Sequence, residues 1–183
     1  MLRDGRNTIV IDPPVGAEVE KLLSALDQIV PGGVRILVTT PFHVRQSELL
    51  WLRWRRQHDV TIFGHENCAT RLNDRSAFRP LIGGETLDGG VCAYSIGRPG
   101  SAEIPFELPS HRALAFGDTV LGIDGGLRVW PRKRDSYEQL LSTLQPLAHL
   151  NVERVLVTHG DPVLSAGASV LAAGLRLPAW TRP

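Results

Sequence analysis

The stretch Arg35-Ile36-Leu37-Val38-Thr39-Thr40-Pro41-Phe42-His43-Val44-Arg45 reads as a buried strand that runs through a short loop into a helix. Its apolar residues are consecutive rather than alternating, as in a strand covered on both faces. Two later segments share the design of an apolar run released into a polar loop. They are Leu114-Ala115-Phe116-Gly117-Asp118-Thr119 and Val155-Leu156-Val157-Thr158-His159-Gly160.

Around these three segments the chain alternates strand and helix patterns. Residues 8–12 form a β-branched run stopped by Pro13-Pro14. Val19, Leu22, Leu23, Leu26 and Ile29 follow the spacing of one helical face over residues 17–29, and Pro31-Gly32-Gly33 ends that helix. The strand at 34–38 completes a βαβ unit, which implies parallel strands and a right-handed crossover. A helix over 44–57 and a strand at 60–63 follow. Residues 64–90 are cut by Gly64, Pro80, Gly83-Gly84 and Gly89-Gly90 into a short helix and loops of no further assignable conformation. Short strands at 91–95, 103–107 and 113–116, with turns at Gly97-Arg98-Pro99-Gly100 and Pro109-Ser110, predict a meander. A helix over 135–147, a strand over 154–158 and a helix over 164–175 return to βα order. Periodicity leaves two architectures open: two sheets face to face with helices outside, or one doubly wound sheet.

Size and charge narrow the function classes. A chain of 183 residues fits a single domain spanning 1–183. Its 43% hydrophobic and 21% charged residues are those of a folded protein, and a net charge of +1 gives no overall field that would recruit nucleic acid or an acidic membrane. Cys68 and Cys92 lack metal-site spacing and read as buried thiols in a reducing compartment rather than a bridge. The N-terminus shows no signal-peptide pattern, and no apolar run approaches the ~20 residues needed to span a bilayer. The expectation is a cytoplasmic protein. Trp51-Leu52-Arg53-Trp54-Arg55-Arg56 interleaves aromatics with bases and Arg132-Lys133-Arg134 adds another basic cluster, but Leu50, Trp51 and Trp54 suit a helix's buried face and the arginines its wet face, so nucleic acid is not the expected partner.

In order and spacing, the three quoted segments resemble the metallo-β-lactamase superfamily. The resemblance implies an α/β fold of αββα four-layer sandwich type, truncated here at the N-terminal strand because little chain precedes Thr8. It places Asp12 at the end of the early strand, near a metal site. It matches Phe116-Gly117-Asp118-Thr119 to the family's G-D-T/S, whose Asp bridges two metals, and Thr158-His159-Gly160-Asp161-Pro162 to its final G-H-G-x-P. The family's H-x-H-x-D-H cluster falls on Thr40, Phe42, Val44 and Arg45, so all four of those ligands are absent. Arg98 falls near the His of the family's G-H-x-x-G turn.

A catalytic zinc takes about three protein ligands and one open position. Phenylalanine and valine have no lone pair to donate, threonine is a poor zinc ligand, and arginine brings a fixed positive charge. Asp118 and His159 alone give little affinity, so no metal is expected and a degenerate metal site is the first reading. Arg45 either fills the vacated space by pairing with Asp118 or caps an exposed helix face. His43 lies one residue past the Phe42 slot. A shift of the loop would aim it at Asp118 and His159, giving a mononuclear site with a further carboxylate such as Asp12; otherwise it hydrogen-bonds the loop backbone or tunes a pocket without metal. His65 reads as a cap or surface residue and His111 as solvated, while His58 and His149 suit helix C-termini. Without a metal, His159 and Asp118 form an acid–base pair, but no G-x-S-x-G supplies a nucleophile.

Three readings stand. The first is a degenerate metallo-β-lactamase-fold protein without a dinuclear zinc centre, keeping a cleft for a small-molecule ligand or partner lined by Asp12, Thr40, His43, Arg45, Asp118 and His159. The second is a hydrolase with a remodelled mononuclear site, zinc included, built on Asp118, His159 and His43 as the catalytic candidates. The third is a structural homo-oligomer without a ligand, since an uncovered sheet edge invites association.

Overall fold

The computed structural model describes residues 2–4, 7–13, 20, 23–24, 27, 32–97, 101–131 and 136–181. Two compact units divide the chain, Met1–Leu81 and Ile82–Pro183.

The first unit is built on a five-stranded sheet in the order β1-β2-β3-β4-β5. Its strands are β1 (Leu2–Asp4), β2 (Asn7–Ile11), β3 (Val34–Val38), β4 (Val60–His65) and β5 (Phe78–Leu81). β2 to β5 run parallel, and β1 folds back antiparallel on β2 with Arg3 opposite Thr8. The N-terminal strand is therefore present as a three-residue piece, and the edge of β2 is paired. Val34, Ile36 and Val38 point to one face and meet Val60 and Ile62 of β4. Against them lies α1 (Ser47–Trp54), whose Ser47, Leu50, Trp51 and Trp54 recur at helical spacing and are buried. Arg53, Arg55 and Arg56 are exposed, and Arg55 stacks 4.5 Å above the Trp51 ring. Trp54 Nε1 donates to Asp27 at 2.7 Å, and the Arg53 guanidinium pairs with the same carboxylate, holding it below the usual aspartate range.

α1 is shorter than the expected 44–57. Pro41–His43 form a 3-10 turn, and Arg45 has φ 38, in the left-handed region, which breaks helical continuity before Ser47. Of the expected helix at 17–29, residues 20, 23, 24 and 27 are helical and the others lie outside the described residues. The segment 64–90 holds a 3-10 helix (Glu66–Arg71) and also β5, whose Pro80 pairs with Gly64 at the sheet's far edge. An edge strand tolerates the missing N–H of proline.

The second unit has a four-stranded sheet in the order β11-β8-β7-β6 and a two-stranded ribbon, β9 with β10. β6 (Cys92–Ala93), β7 (Phe106–Leu108) and β8 (Ala113–Ala115) form the expected antiparallel meander, while β11 (Arg154–Leu156) lies parallel to β8. The ribbon, β9 (Val120–Leu121) and β10 (Arg128–Val129), turns through Asp124-Gly125-Gly126. α2 (Tyr137–Leu144) is capped by the Ser136 hydroxyl, which accepts from Gln139 N at 3.2 Å, and Pro146 converts its expected last turns into a 3-10 helix over Gln145–His149. α3 (Gly167–Gly174) packs Leu171 against Leu114, Val152 and Val155 in this unit's own core. Arg132, Lys133 and Arg134 lie outside the described residues.

Both cysteines are free: Cys68 is buried and Cys92 is half-buried, so only one thiol is sequestered as expected. Burial pushes the Cys68 thiol up to about 12, which leaves almost no thiolate at pH 8. Iodoacetamide at pH 8 should therefore alkylate Cys92 in the native protein and spare Cys68, with both modified in urea. Equal native labelling of the two thiols by mass spectrometry would contradict the packing described around Cys68.

Candidate functional site

In the first unit, parallel strand ends gather a polar cluster. The pairing of Ile11 with Leu37 brings the ends of β2 and β3 level, with Asp12 beside Thr39. Asp12 has φ 44, a conformation that aspartate tolerates better than most residues, and its N–H donates to Leu37 O at 3.0 Å. The Asp12 carboxylate then accepts three times: from Thr39 N at 2.8 Å, from Thr39 Oγ1 at 2.6 Å, and from His43 Nδ1 at 3.0 Å. Asp12 and His43 side chains are only 8% and 2% exposed. Facing a carboxylate, Nδ1 carries the ring proton, which assigns the lone pair of the neutral imidazole to Nε2. The His43 ring thus bonds side chains at the strand ends.

The four positions where the resemblance loses its metal ligands have other duties. The Thr40 hydroxyl caps the 3-10 turn by accepting from Phe42 N at 3.2 Å. Val44 is buried, whereas Phe42 is 60% exposed. Arg45 is exposed and makes no ion pair among the described residues. A non-glycine residue in the left-handed region costs on the order of 1–3 kcal/mol, so the surrounding turns hold Arg45 in place.

In the second unit, β8 and β11 release their loops from the same edge. Phe116 N donates to Leu156 O at 2.9 Å, and the Thr158 hydroxyl donates to Phe116 O at 3.3 Å, which ties the two loops together. Asp118 Oδ1 lies 3.2 Å from His159 Nε2, with the aspartate side chain 15% exposed and the histidine 54%. His159 is set by a main-chain lock in which Gly122 N donates to His159 O at 2.9 Å and Asp161 N donates to Gly122 O at 2.8 Å. Gly160 has φ 85, and a Cβ there would stand 2.0 Å from the Gly122 carbonyl oxygen, so glycine is required.

Glu103 is the residue that sequence reasoning missed. It is 1% exposed, and its carboxylate accepts from the amides of Gly117, Asp118 and Thr119 and from Thr119 Oγ1 at 2.7 Å. The one available signal was an acid set among the apolar residues of 102–106. The other histidines stay outside both clusters. His65 is buried and its Nδ1 caps the following 3-10 helix by accepting from Asn67 N. His58 reaches the Gly32 carbonyl at 3.0 Å, His111 is half-exposed in a 3-10 turn, and His149 is exposed at the end of another. Arg98 lies outside the described residues.

No protein-family model matches this sequence, and no curated protein is similar to it. Solved structures do match. The crystal structure of the DIM-1 metallo-β-lactamase exposed to ceftazidime is 14% identical with a TM-score of 0.68, covering 95% of this chain and 82% of that one. The di-iron-bound form of TTHA1623 is 20% identical with a TM-score of 0.62 over 88% of this chain and 85% of that chain. A metallo-β-lactamase family protein from Thermus thermophilus, TTHA1429, is 15% identical with a TM-score of 0.61, over 94% and 71%. The chain thus has the metallo-β-lactamase fold, as the order of its motifs implied. No helix of the described residues is long and apolar enough to cross a membrane.

Both buried carboxylates should prove structurally costly to remove. Asp12→Ala orphans the buried Thr39 donors and the His43 ring N–H, and Glu103→Ala orphans three amides and a hydroxyl. Each substitution should lower unfolding stability by about 3 kcal/mol in urea titration. A loss within about 0.5 kcal/mol for either would show that its carboxylate does not order its loop.

Proposed function

We propose that this chain is a metal-dependent hydrolase of metallo-β-lactamase fold in which the dinuclear centre is reduced to one cation position, served by His43, Asp118 and His159. The supporting observation is the carboxylate on His43 Nδ1. A metal-binding imidazole commonly donates its second ring N–H to a carboxylate or carbonyl, which fixes the tautomer and raises ligand basicity, and Asp12 stands in that relation to His43 at 3.0 Å. In the other unit, Asp118 and His159 offer an oxygen and a nitrogen donor from adjacent loops. Two imidazoles and one carboxylate suit zinc or ferrous iron. Thr40, Phe42, Val44 and Arg45 supply no donor set for a second ion.

Among the structural matches, one protein is described in a di-iron-bound form and another as a peroxy-diiron chemotaxis sensor, so iron is tried alongside zinc. Those matches run across both units, which supports reading residues 1–183 as one domain. Bound there, the ion would supply Lewis acidity and a water of lowered pKa. The chain's own contributions are orientation of the His43 imidazole by Asp12 and placement of the Asp118 loop by Glu103.

Elemental analysis after reconstitution with zinc or ferrous iron tests the proposal. The expected result is about one ion per chain, with affinity down at least tenfold in His43→Ala, Asp118→Ala and His159→Ala, and by about 10–100-fold in Asp12→Asn. A protein that takes up neither ion, and whose thermal stability ignores EDTA, would overturn the proposal in favour of a metal-free ligand-binding role.

A further inference from the structure

We infer that the first unit carries a binding site for a small anion bearing a flat ring, such as a phosphorylated or carboxylated aromatic compound. The site is a groove of about 550 Å³ walled by Pro41, Phe42, Val44, Arg45, Thr70 and Arg71, where two 3-10 turns pack together. Its size falls in the range of about 300–1,000 Å³ typical of small-ligand pockets. Two arginines line it and no acidic residue does. Neither arginine has an ion-pair partner among the described residues, although the chain carries 19 acids against 20 bases. On a nearly neutral protein, two unneutralised guanidinium groups on one groove form a local anion trap, and their planar forks match carboxylate and phosphate oxygens.

The ring requirement comes from Phe42. It is a large apolar side chain left 60% exposed inside this charged groove, with the Arg71 guanidinium 5.0 Å from its centroid. That pairing pre-orders Arg71, and a flat ligand laid along Phe42 would cover apolar surface while its anionic group meets Arg71 and Arg45. Arg45 is held in the left-handed region, so its backbone is fixed before a ligand arrives. The inference rests on residues of the first unit alone and is independent of the metal reading.

Calorimetric titration of the full chain with phenyl phosphate, inorganic phosphate and phenol tests it, run in EDTA and again after metal reconstitution. Phenyl phosphate should bind about tenfold more tightly than either fragment, with the same affinity in EDTA. Arg45→Ala and Arg71→Ala should each weaken it about tenfold or more, and Phe42→Ala should reduce phenyl phosphate to the level of inorganic phosphate. All three side chains are exposed, and unchanged thermal melting would certify that the variants fold. Lack of saturation in the millimolar range, indifference to both arginine substitutions, or dependence on the added metal would overturn the site. Binding of a single-stranded oligonucleotide without phenyl phosphate binding would overturn it as well and point to nucleic acid.

Discussion

A buried carboxylate at the end of the second strand organises the first unit's polar chemistry. Asp12 is almost completely desolvated, and an ion in that position is costly unless nearly every lone pair finds a donor. The parallel pairing of β2 with β3 delivers two of those donors from Thr39 and the following turn delivers the third from His43. Sequence, register and tautomer are thereby linked. A β-branched strand ends on aspartate, the neighbouring strand ends on threonine, and the histidine four residues later has its ring proton assigned.

The second unit solves a related problem differently. The amides of Gly117, Asp118 and Thr119 converge on one point, an arrangement that elsewhere binds anions. Here Glu103 occupies that point from within the protein. The loop's backbone is consequently committed to the interior, and the chemistry it offers comes from the Asp118 side chain beside His159. One carboxylate orients an imidazole while the other fixes the backbone that carries a carboxylate.

Much of the fold was legible because its main signals are long and local. The apolar runs at 34–38 and 60–63 are strands, and Leu50, Trp51 and Trp54 form the buried stripe of a helix. β1 was illegible because Leu2–Asp4 is short and mostly polar. β5 was hidden by Pro80, whose position at a sheet edge no local pattern discloses. β9 and β10 have two residues each, too few to show a period. At the site, Asp12, His43, Asp118 and His159 were all singled out, but Asp12 and His43 were joined only as a conditional set. For Arg45, charge left two readings open, a pair with Asp118 or an exposed helix face, and no local pattern disclosed its left-handed turn ahead of the helix. The role of Glu103 could not be read from sequence, where it shows only as an acid among apolar neighbours, because that role exists only once a loop about fifteen residues away has closed around it.

The contact between Gly122 and Gly160 bears on how residual motifs are interpreted. Main chain meets main chain there with no room for a methyl group on Gly160. Steric exclusion alone would purge any side chain from that position, whatever became of the adjoining imidazole's chemistry. The glycine of a histidine–glycine signature is therefore held by packing, and by itself it says nothing of the chemistry of the imidazole beside it.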